Sequence, residues 1–330
     1  MKDLISQLVR HQPLSRTQAR EAMLVIGSGN ANPSQIATFC AVFMMRNITV
    51  DELTGLREAM LELCVPVDLS AYNTIDIVGT GGDGKNTFNI STLSSFVVAG
   101  AGFKVAKHGN YGVSSAVGSS NVLEYLGYKF TGDADVLRKQ IENAGICMMH
   151  APLFHPAMKN VAPVRKELGM KTIFNMLGPM TNPSLPKNQM LGTYSMELAR
   201  LYGYIYQNLD KNFVIVHSLD GYDEISLTGP FKMVSAHAER IVQPEELGFA
   251  RVDQKDLWGG DTAEDAAKIF MDVLNNEGTA AQKNAVLANS GFAIWCMNQQ
   301  QSWEESIAVA RESLESGKAL ATLKKLIANN

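Results

Sequence analysis

The sequence predicts an α/β protein: a small all-helical N-terminal domain and a large α/β domain with a mainly parallel central sheet. Residues 1 to about 65 contain only helical patterns, and the chain is helical again from about Asp261. From Thr74 onward, short apolar runs alternate with glycine loops and helical segments, as in a parallel sheet covered by helices. The expected domains are therefore 1–65, with a contribution from about 155–185, and 70–330.

The composition is that of an ordinary globular protein. The 330 residues are 46% hydrophobic and 19% charged, with a formal net charge of -4. This charge opposes broad binding to nucleic acid or an anionic membrane, because those surfaces require a positive excess. No apolar run approaches the ~20 residues of a spanning helix, and the N-terminus carries an early acid and no apolar core. We expect no nucleic-acid partner, no membrane partner, no signal peptide and a cytoplasmic location.

Three helix start signals are found in the first part of the chain. "LSRTQAREAMLVIGSG" begins at the start signal Ser15, "NPSQIATFCAVFMMRN" repeats the form, and "TVDELTGLREAMLELC" opens with the capping box of Thr49 and Glu52. Their apolar faces predict packing against one another and offer a dimer surface.

The cysteines are far apart in sequence and are expected to be reduced thiols: Cys40, Cys64, Cys147 and Cys296.

After Pro66 the sequence pattern changes from helices alone to short apolar runs separated by glycine loops and helices. "TIDIVG", "FKVAKHG", "ICMMHA" and "NFVIVHS" are predicted strands. "STLSSFVVAGAG", opened by a Ser/Thr cap, is a predicted helix, as are "NVLEYLG" and "ADVLRKQIENAG". The segment 155–185 is helical and punctuated by proline, and we expect it to return to the N-terminal helices.

The stretch 79–92, "GTGGDGKNTFNIST", matches two phosphate-loop patterns incompletely. Gly79, Gly81 and Gly84 fit the dinucleotide fingerprint, which also needs an acidic residue about 20 positions later to bind ribose hydroxyls. Residues 85–123 contain no Asp or Glu. The dinucleotide interpretation therefore lacks its confirming residue.

The P-loop interpretation also fails at one position. Gly84 and Lys85 fit it, but Asn86 stands where a Ser or Thr would hold Mg²⁺. Asp83 would face phosphate oxygens, which is repulsive unless a metal intervenes. A plain glycine turn between strand and helix remains a further alternative.

Basic and small polar residues nevertheless favour an anion at this loop. The acid-free run 85–123 carries Lys85, Lys104, Lys107 and His108. Side-chain oxygens and amides at the expected helix N-terminus, where an anion is stabilised, come from Asn89, Ser91 and Thr92. The loop "KHGNYGVSSAVGSS" after the next strand has the same character, through Lys107, Gly109, Asn110, Ser114, Ser115, Gly118 and Ser119. Since ligands of open α/β sheets collect beyond the carboxyl ends of strands, the two loops are expected to hold one polyanion.

Adjacent carboxylates follow a later strand. Asp223 and Glu224 lie in "HSLDGYDEISLTGP". They are either a solvated turn or a Mg²⁺ site, because hard carboxylate oxygens suit that ion.

Four strings, in order, carry a family resemblance: "GTGGDGKNTFNIST", "KHGN", "HPAMKNVAPVRKELGMKTIFNMLGPMTNP" and "DEIS". They resemble the anthranilate phosphoribosyltransferase family over essentially the whole chain. The resemblance implies the nucleoside phosphorylase/phosphoribosyltransferase type of fold and a homodimer formed through the N-terminal helices. It also implies transfer of the phosphoribosyl group of phosphoribosyl pyrophosphate (PRPP) to the amino group of anthranilate in tryptophan biosynthesis, with two Mg²⁺ ions per subunit.

The resemblance assigns roles by motif. PRPP contacts are implied for Gly79, Gly82, Asp83, Thr87, Asn89, Ile90, Ser91, Thr92, Lys107, His108, Gly109, Asn110, Ser114, Ser115 and Ser119. Anthranilate contacts are implied for Gly79, His108, Asn110, His155, Arg165 and Gly178. Metal contacts are implied for Ser91, Asp223 and Glu224, and catalytic roles for Asp83, Asn110 and Arg165. The arylamine is already a nucleophile, so positioning and charge stabilisation are expected to dominate, without a strong base.

The second loop departs from the commoner family pattern. Tyr111 and Gly112 follow "KHGN" where many members have Arg-Ser, and Asn121 occupies an acidic position. Two rival interpretations are a pyrimidine nucleoside phosphorylase and a non-catalytic nucleic-acid-binding relative. The pyrimidine nucleoside phosphorylase family carries a Lys-His pair just ahead of its glycine loop, where this chain has Ile77 and Val78. A nucleic-acid-binding relative needs an extensive basic face, which a net charge of -4 opposes.

Overall fold

The computed structural model of the chain describes residues 1–112 and 117–328. The chain divides into two compact units. The helical unit comprises Met1–Val67 and Ala151–Leu185, and the α/β unit comprises Asp68–His150 and Pro186–Asn330. Both units are therefore discontinuous in sequence.

The described residues form fifteen α-helices and seven strands. The helices are α1 Lys2–Val9, α2 Arg16–Gly27, α3 Pro33–Met45, α4 Val50–Glu62, α5 Ile90–Gly100, α6 Ser119–Tyr125, α7 Ala134–Ala144, α8 Ala151–Phe154, α9 Ala162–Leu168, α10 Ile173–Leu177, α11 Met196–Tyr206, α12 Ala263–Leu274, α13 Ala280–Met297, α14 Trp303–Glu315 and α15 Lys318–Ala328. The strands are β1 Thr74–Gly79, β2 Lys104–Gly109, β3 Ile146–His150, β4 Asn188–Gly192, β5 Asn212–Ser218, β6 Phe231–Ser235 and β7 Glu239–Val242. Within this part of the chain, no helix is long and apolar enough to cross a membrane.

Capping boxes begin α2, α3 and α4 of the helical unit. Ser15 caps α2 and Thr49 caps α4, which confirms both predicted starts, and Asn32 caps α3. Glu52, in the box of Thr49, is buried and also accepts a hydrogen bond from the Leu14 amide at 2.9 Å. One carboxylate thus satisfies donors from two connections, as a buried charge requires.

The segment 151–185 packs within the helical unit. The Val65 amide donates to the Phe154 carbonyl at 2.8 Å, and Asn160 Nδ2 donates to the Gly27 carbonyl at 2.9 Å. Helices α9 and α10 pack against α3. The return segment therefore completes a layer that the first 67 residues leave open.

One seven-stranded sheet organises the α/β unit, in the order β3-β2-β1-β4-β5-β6-β7. The strands from β3 through β5 in that order pair in parallel, and β6 and β7 continue the sheet in antiparallel pairing. The four predicted strands are confirmed. Strand β4 had no apolar run to reveal it: Asn188 and Gln189 are buried, and their polar groups bond to Asn73 and Tyr206 instead of water.

The main apolar core contains alternate residues of the central strands, such as Ile75, Ile77 and Met190, together with residues of the helices. Helix α5 packs against α13, α14 and α15, and α13 is buried along most of its length. The helical C-terminal region is confirmed. The four cysteines are free thiols, and burial raises the pKa of Cys40 to about 11, which keeps that thiol protonated. The parallel strands bring their carboxyl ends, including Gly79, Gly109 and Gly192, to one edge of the sheet.

Candidate functional site

The glycine-rich loop leaves β1 in a conformation that glycine makes possible. Gly81, Gly82 and Gly84 have φ values of 61°, 74° and 74°, in the left-handed region that L side chains rarely adopt. The Lys85 amide donates to Asp83 Oδ1 at 3.0 Å inside the turn. The loop therefore folds tightly over the end of its own strand.

A carboxylate from the loop after β5 lies over the ends of two strands. Asp223 Oδ2 accepts a hydrogen bond from the Gly81 amide at 2.6 Å. A Cβ at Gly79 would lie 2.3 Å from that oxygen, and a Cβ at Gly192 would lie 1.5 Å from the Asp223 carbonyl oxygen. Since β1 and β4 pair Gly79 with Gly192, a pair of glycines makes room for Asp223.

Burial and neighbouring carboxylates disfavour the charged forms of the two acidic residues predicted as metal ligands. Burial, followed by repulsion from Asp83, raises the pKa of Asp223 to about 7. Burial and the charges of Asp223 and Asp83 also raise the pKa of Glu224 well above its usual range. Glu224 Oε1 accepts from the Ser91 amide at 3.1 Å, in the first turn of α5. A cation would relieve this clustering of negative charge.

These donors fit Mg²⁺. Among the described residues, no group of three or more His, Cys, Asp or Glu side chains is arranged to enclose a metal ion. Mg²⁺ is usually held by one or two carboxylates together with water and substrate phosphates. The close carboxylates of Asp223 and Glu224, beside Ser91, match that partial coordination.

Lys107 lies beneath this cluster. It is 2% exposed, and its Nζ donates to the Ile77 carbonyl oxygen at 2.5 Å. Burial lowers the pKa of Lys107, while the charges of Asp76, Glu224 and Asp223 oppose that shift. Asp76, which the sequence analysis did not single out, also accepts from the His108 amide at 3.1 Å. A buried acid on β1 thus compensates a buried base on β2.

The start of α5 differs from the prediction. The expected Ser/Thr cap is wrong: Asn89 is the N-cap residue, and its side chain makes no capping bond. Its Nδ2 instead donates to the Val117 carbonyl at 3.2 Å, which ties the first loop to the second. Thr92 is buried, and its Oγ1 has no hydrogen-bond partner within the described residues.

Asn121 closes the second loop. Its Oδ1 accepts from the Gly112 amide at 3.2 Å and from the Gly118 amide at 3.0 Å. An uncharged amide oxygen therefore accepts from both ends of the described part of this loop. Ser114 and Ser115, two of the predicted contacts, lie outside the described residues.

Asn110 anchors the other end of the second loop. Its carbonyl accepts from Ser119 Oγ at 3.0 Å, and its side chain accepts from the Tyr111 amide at 2.8 Å. A Cβ at Gly109 would lie 2.6 Å from Ser119 Oγ. The Tyr111 hydroxyl donates to Glu124 at 2.9 Å, so Tyr111 is held on the surface of α6.

Three of the predicted residues belong to the helical unit. Arg165, on α9, is half-buried, and its Nη2 donates to Asn175 Oδ1 at 3.3 Å. Burial lowers the pKa of Arg165, and it lowers that of His155 to about 4, so His155 is neutral at pH 7. Gly178 begins the 3-10 helix Gly178–Met180, and a Cβ there would meet no atom within 4 Å.

Two further contacts escaped the sequence analysis. Lys85 Nζ lies 4.7 Å from the centre of the Tyr222 ring, a cation–π distance. Asn86 Nδ2 donates to the Gly260 carbonyl at 2.9 Å. The sequence shows Asn86 only as the residue that replaces the Ser or Thr of a P-loop. Because its partner is 174 residues away in sequence, no local pattern predicts this hydrogen bond.

Comparison with known proteins identifies the family. A glycosyl transferase family helical bundle domain matches residues 2–64, and a glycosyl transferase family a/b domain matches residues 71–320. The anthranilate phosphoribosyltransferase of Cytophaga hutchinsonii is 63% identical over 327 residues, covering 99% of this chain and 100% of that protein.

Solved structures of anthranilate phosphoribosyltransferases are also similar to this chain over nearly its whole length. The anthranilate phosphoribosyltransferase of Thermus thermophilus has a TM-score of 0.93 at 34% identity, covering 99% of both chains. That of Saccharomyces cerevisiae, solved with PRPP and Mg, has a TM-score of 0.90 at 27% identity, covering 99% of this chain and 96% of that one. The yeast protein has also been solved with 4-fluoroanthranilate, with a TM-score of 0.87 at the same identity and coverage.

The chain is a member of the glycosyl transferase family whose members join a helical bundle to an a/b domain. Within it, the chain belongs to the anthranilate phosphoribosyltransferases, enzymes of tryptophan biosynthesis. The predicted fold class and the family resemblance are both confirmed.

Proposed function

We propose that this chain transfers the phosphoribosyl group of PRPP to the amino group of anthranilate, releasing pyrophosphate, and that the site described above performs the transfer. The proposal rests on three hydrogen bonds that connect separate chain segments at the carboxyl ends of the parallel strands. Asp223 binds the Gly81 amide, Glu224 binds the Ser91 amide, and Asn89 binds the Val117 carbonyl. A ligand with separated anionic groups fits two amide-rich loops and a carboxylate pair.

PRPP binding is assigned to the two loops. The residues proposed to contact it are Gly79, Gly82, Asp83, Thr87, Asn89, Ile90, Ser91, Thr92, Lys107, His108, Gly109, Asn110, Ser114, Ser115 and Ser119. Backbone N–H groups at the start of α5 and the helix dipole stabilise phosphate oxygens. Lys107 supplies a buried amine near the acidic pair, and its Nζ donates a hydrogen bond to the Ile77 carbonyl oxygen.

Magnesium binding is assigned to Ser91, Asp223 and Glu224, with two ions per subunit. When bound, Mg²⁺ neutralises the charge that develops on the departing pyrophosphate. Asp223 and Glu224 supply hard oxygen donors, and a cation would offset the repulsion that raises their pKa values. Asp83, beside them, orients the ribose hydroxyls or metal-bound water.

Anthranilate binding is assigned to Gly79, His108, Asn110, His155, Arg165 and Gly178. The planar guanidinium of Arg165 offers two parallel donors to the anthranilate carboxylate. His155 is neutral at pH 7, so it adds polarity without a second positive charge. The catalytic residues Asp83, Asn110 and Arg165 act by orienting the two substrates, because the arylamine attacks without prior deprotonation.

The assembly is proposed to be a homodimer formed through the N-terminal helices, in the cytoplasm. Large apolar side chains are exposed on the helical unit, including Met45 at 81% and Val9 at 57%. Burial of such side chains against a second copy would remove them from water.

The test is the fluorescence of anthranilate mixed with the purified protein, PRPP and Mg²⁺. Loss of fluorescence only when all of these are present supports the proposal. No turnover, accompanied by phosphorolysis of thymidine or uridine, would assign the chain to the pyrimidine nucleoside phosphorylases instead. Tight, salt-dependent DNA binding without turnover would assign it to a nucleic-acid-binding relative.

A further inference from the structure

A segment distant in sequence lies against the second half of the glycine loop. Residues 257–260, here called the brace, run antiparallel to residues 86–88, with a bridge between Thr87 and Trp258. The Phe88 amide donates to the Leu257 carbonyl at 3.0 Å, and the Gly259 amide donates to the Asn86 carbonyl at 2.8 Å. With the bond from Asn86 Nδ2 to the Gly260 carbonyl at 2.9 Å, three hydrogen bonds join the brace to Asn86 and Phe88, the residues on either side of Thr87.

The two backbones are in direct contact. A Cβ at Gly259 would lie 2.4 Å from the Thr87 carbonyl oxygen and 2.7 Å from the Phe88 nitrogen. Both are backbone atoms, so no side-chain rotation could relieve the overlap. Only glycine permits this approach, and the position of the loop therefore depends on the residue at 259.

The brace is itself firmly anchored. Leu257 and Phe88 are buried in the same apolar core. Two residues after the brace, Thr262 is the N-cap residue of α12 and forms a capping box with Asp265. Helix α12 packs against α6, the helix that follows the second loop. One continuous stretch of chain thus contacts the first loop and the helix that follows the second loop.

We infer that the brace is a positioning element for PRPP binding, acting through Asn86 and Gly259. Neither residue is assigned a substrate contact. They fix the backbone at 86–88, and this sets where the proposed contacts from Asn89 to Thr92 lie. The inference rests on the proposed function. It also explains Asn86: a serine or threonine there would fit a P-loop but would lose the amide group that reaches Gly260.

The test compares PRPP affinity, measured by calorimetry with Mg²⁺, in the wild type and in Gly259→Ala and Asn86→Ala. A displacement of the loop by about 1 Å is expected to weaken PRPP binding roughly 10- to 100-fold, with KM for anthranilate changed by no more than about twofold. Trp258 is 49% exposed beside the loop, so PRPP is also expected to change tryptophan emission in the wild type and not in Trp258→Phe.

The matched control is Gly132→Ala, an exposed glycine whose added Cβ meets no atom within 4 Å. It is expected to bind PRPP as the wild type does. Should Gly259→Ala lower the melting temperature severely, Asn86→Ala decides alone, since it removes one side-chain bond and introduces no overlap. Wild-type PRPP affinity in that variant overturns the inference and leaves the proposed function standing. A wild-type protein that does not bind PRPP overturns both.

Discussion

Asp223 Oδ2 and the Gly81 amide are joined by a hydrogen bond of 2.6 Å, so a proposed metal ligand also closes the first turn of the glycine loop. The carboxylate thereby occupies one amide of the loop that we propose binds PRPP. Under the proposed function, metal binding, substrate binding and loop conformation are coupled through this one side chain.

The first prediction concerns the glycines that admit Asp223. Gly79→Ala places a Cβ 2.3 Å from Oδ2, which can rotate away, so we expect weaker Mg²⁺-dependent PRPP binding and a stability loss of about 1–2 kcal/mol. Gly192→Ala places its Cβ 1.5 Å from the Asp223 carbonyl oxygen, and we expect a loss of about 3 kcal/mol or more. Urea unfolding measures both. Equal stability of the two variants would contradict the backbone contact at Gly192.

The second prediction concerns the charge on Asp223. Because its pKa is raised from 3.8 to about 7, the folded state loses stability as pH rises through that interval. Asp223→Asn removes this cost, and at pH 8 without Mg²⁺ we expect the variant to be about 1–3 kcal/mol more stable than the wild type. Melting curves with and without Mg²⁺ test this. The variant should gain less from Mg²⁺, and a lower melting temperature without metal would refute the electrostatic argument.

The third prediction concerns the buried base. Lys107→Met keeps the volume but leaves Asp76 without the compensating charge, so we expect a loss of about 3–5 kcal/mol. Adding Asp76→Asn should recover part of that loss. A double-mutant cycle by urea unfolding measures the coupling. Strictly additive effects would show that the two charges do not interact.

The fourth prediction concerns acid sensitivity. The pKa of His155 is lowered from 6.5 to about 4, so the unfolded state binds more protons in this range and stability is lost as pH falls through it. His155→Gln is expected to reduce the stability lost between pH 7 and pH 5 by about 2 kcal/mol. The exposed His237→Gln serves as control. An unchanged pH profile in His155→Gln is the contrary result.

The fifth prediction concerns the proposed carboxylate fork. Arg165→Lys keeps the charge but loses the two parallel donors, so we expect KM for anthranilate to rise about tenfold or more while PRPP affinity stays unchanged. Steady-state kinetics and calorimetry separate the two effects. The neighbouring exposed Lys166→Gln is the control. A rise in the dissociation constant of PRPP alone would remove Arg165 from the anthranilate site.

Local chemistry explains which features the sequence revealed. The starts of α2 and α4 were predictable because Ser15 and Thr49 bond to amides three residues away. Strand β1 was predictable as an apolar run ahead of a glycine turn. Strand β4 was not, because its buried polar side chains find partners far along the chain. The start of α5 was predicted with the wrong cap because Asn89 bonds to Val117, 28 residues away.

The sequence by itself determined the fold class, the family, the glycine loop and the acidic pair, since each is written in contiguous residues whose spacing carries the chemistry. Only the tertiary structure decided how these parts meet. Asp223 lies over Gly79 and Gly192, Lys107 lies beneath the acids, and the brace holds Asn86. Most of these contacts join residues more than a hundred positions apart, and burial fixes their charges, so their geometry depends on packing rather than on local pattern.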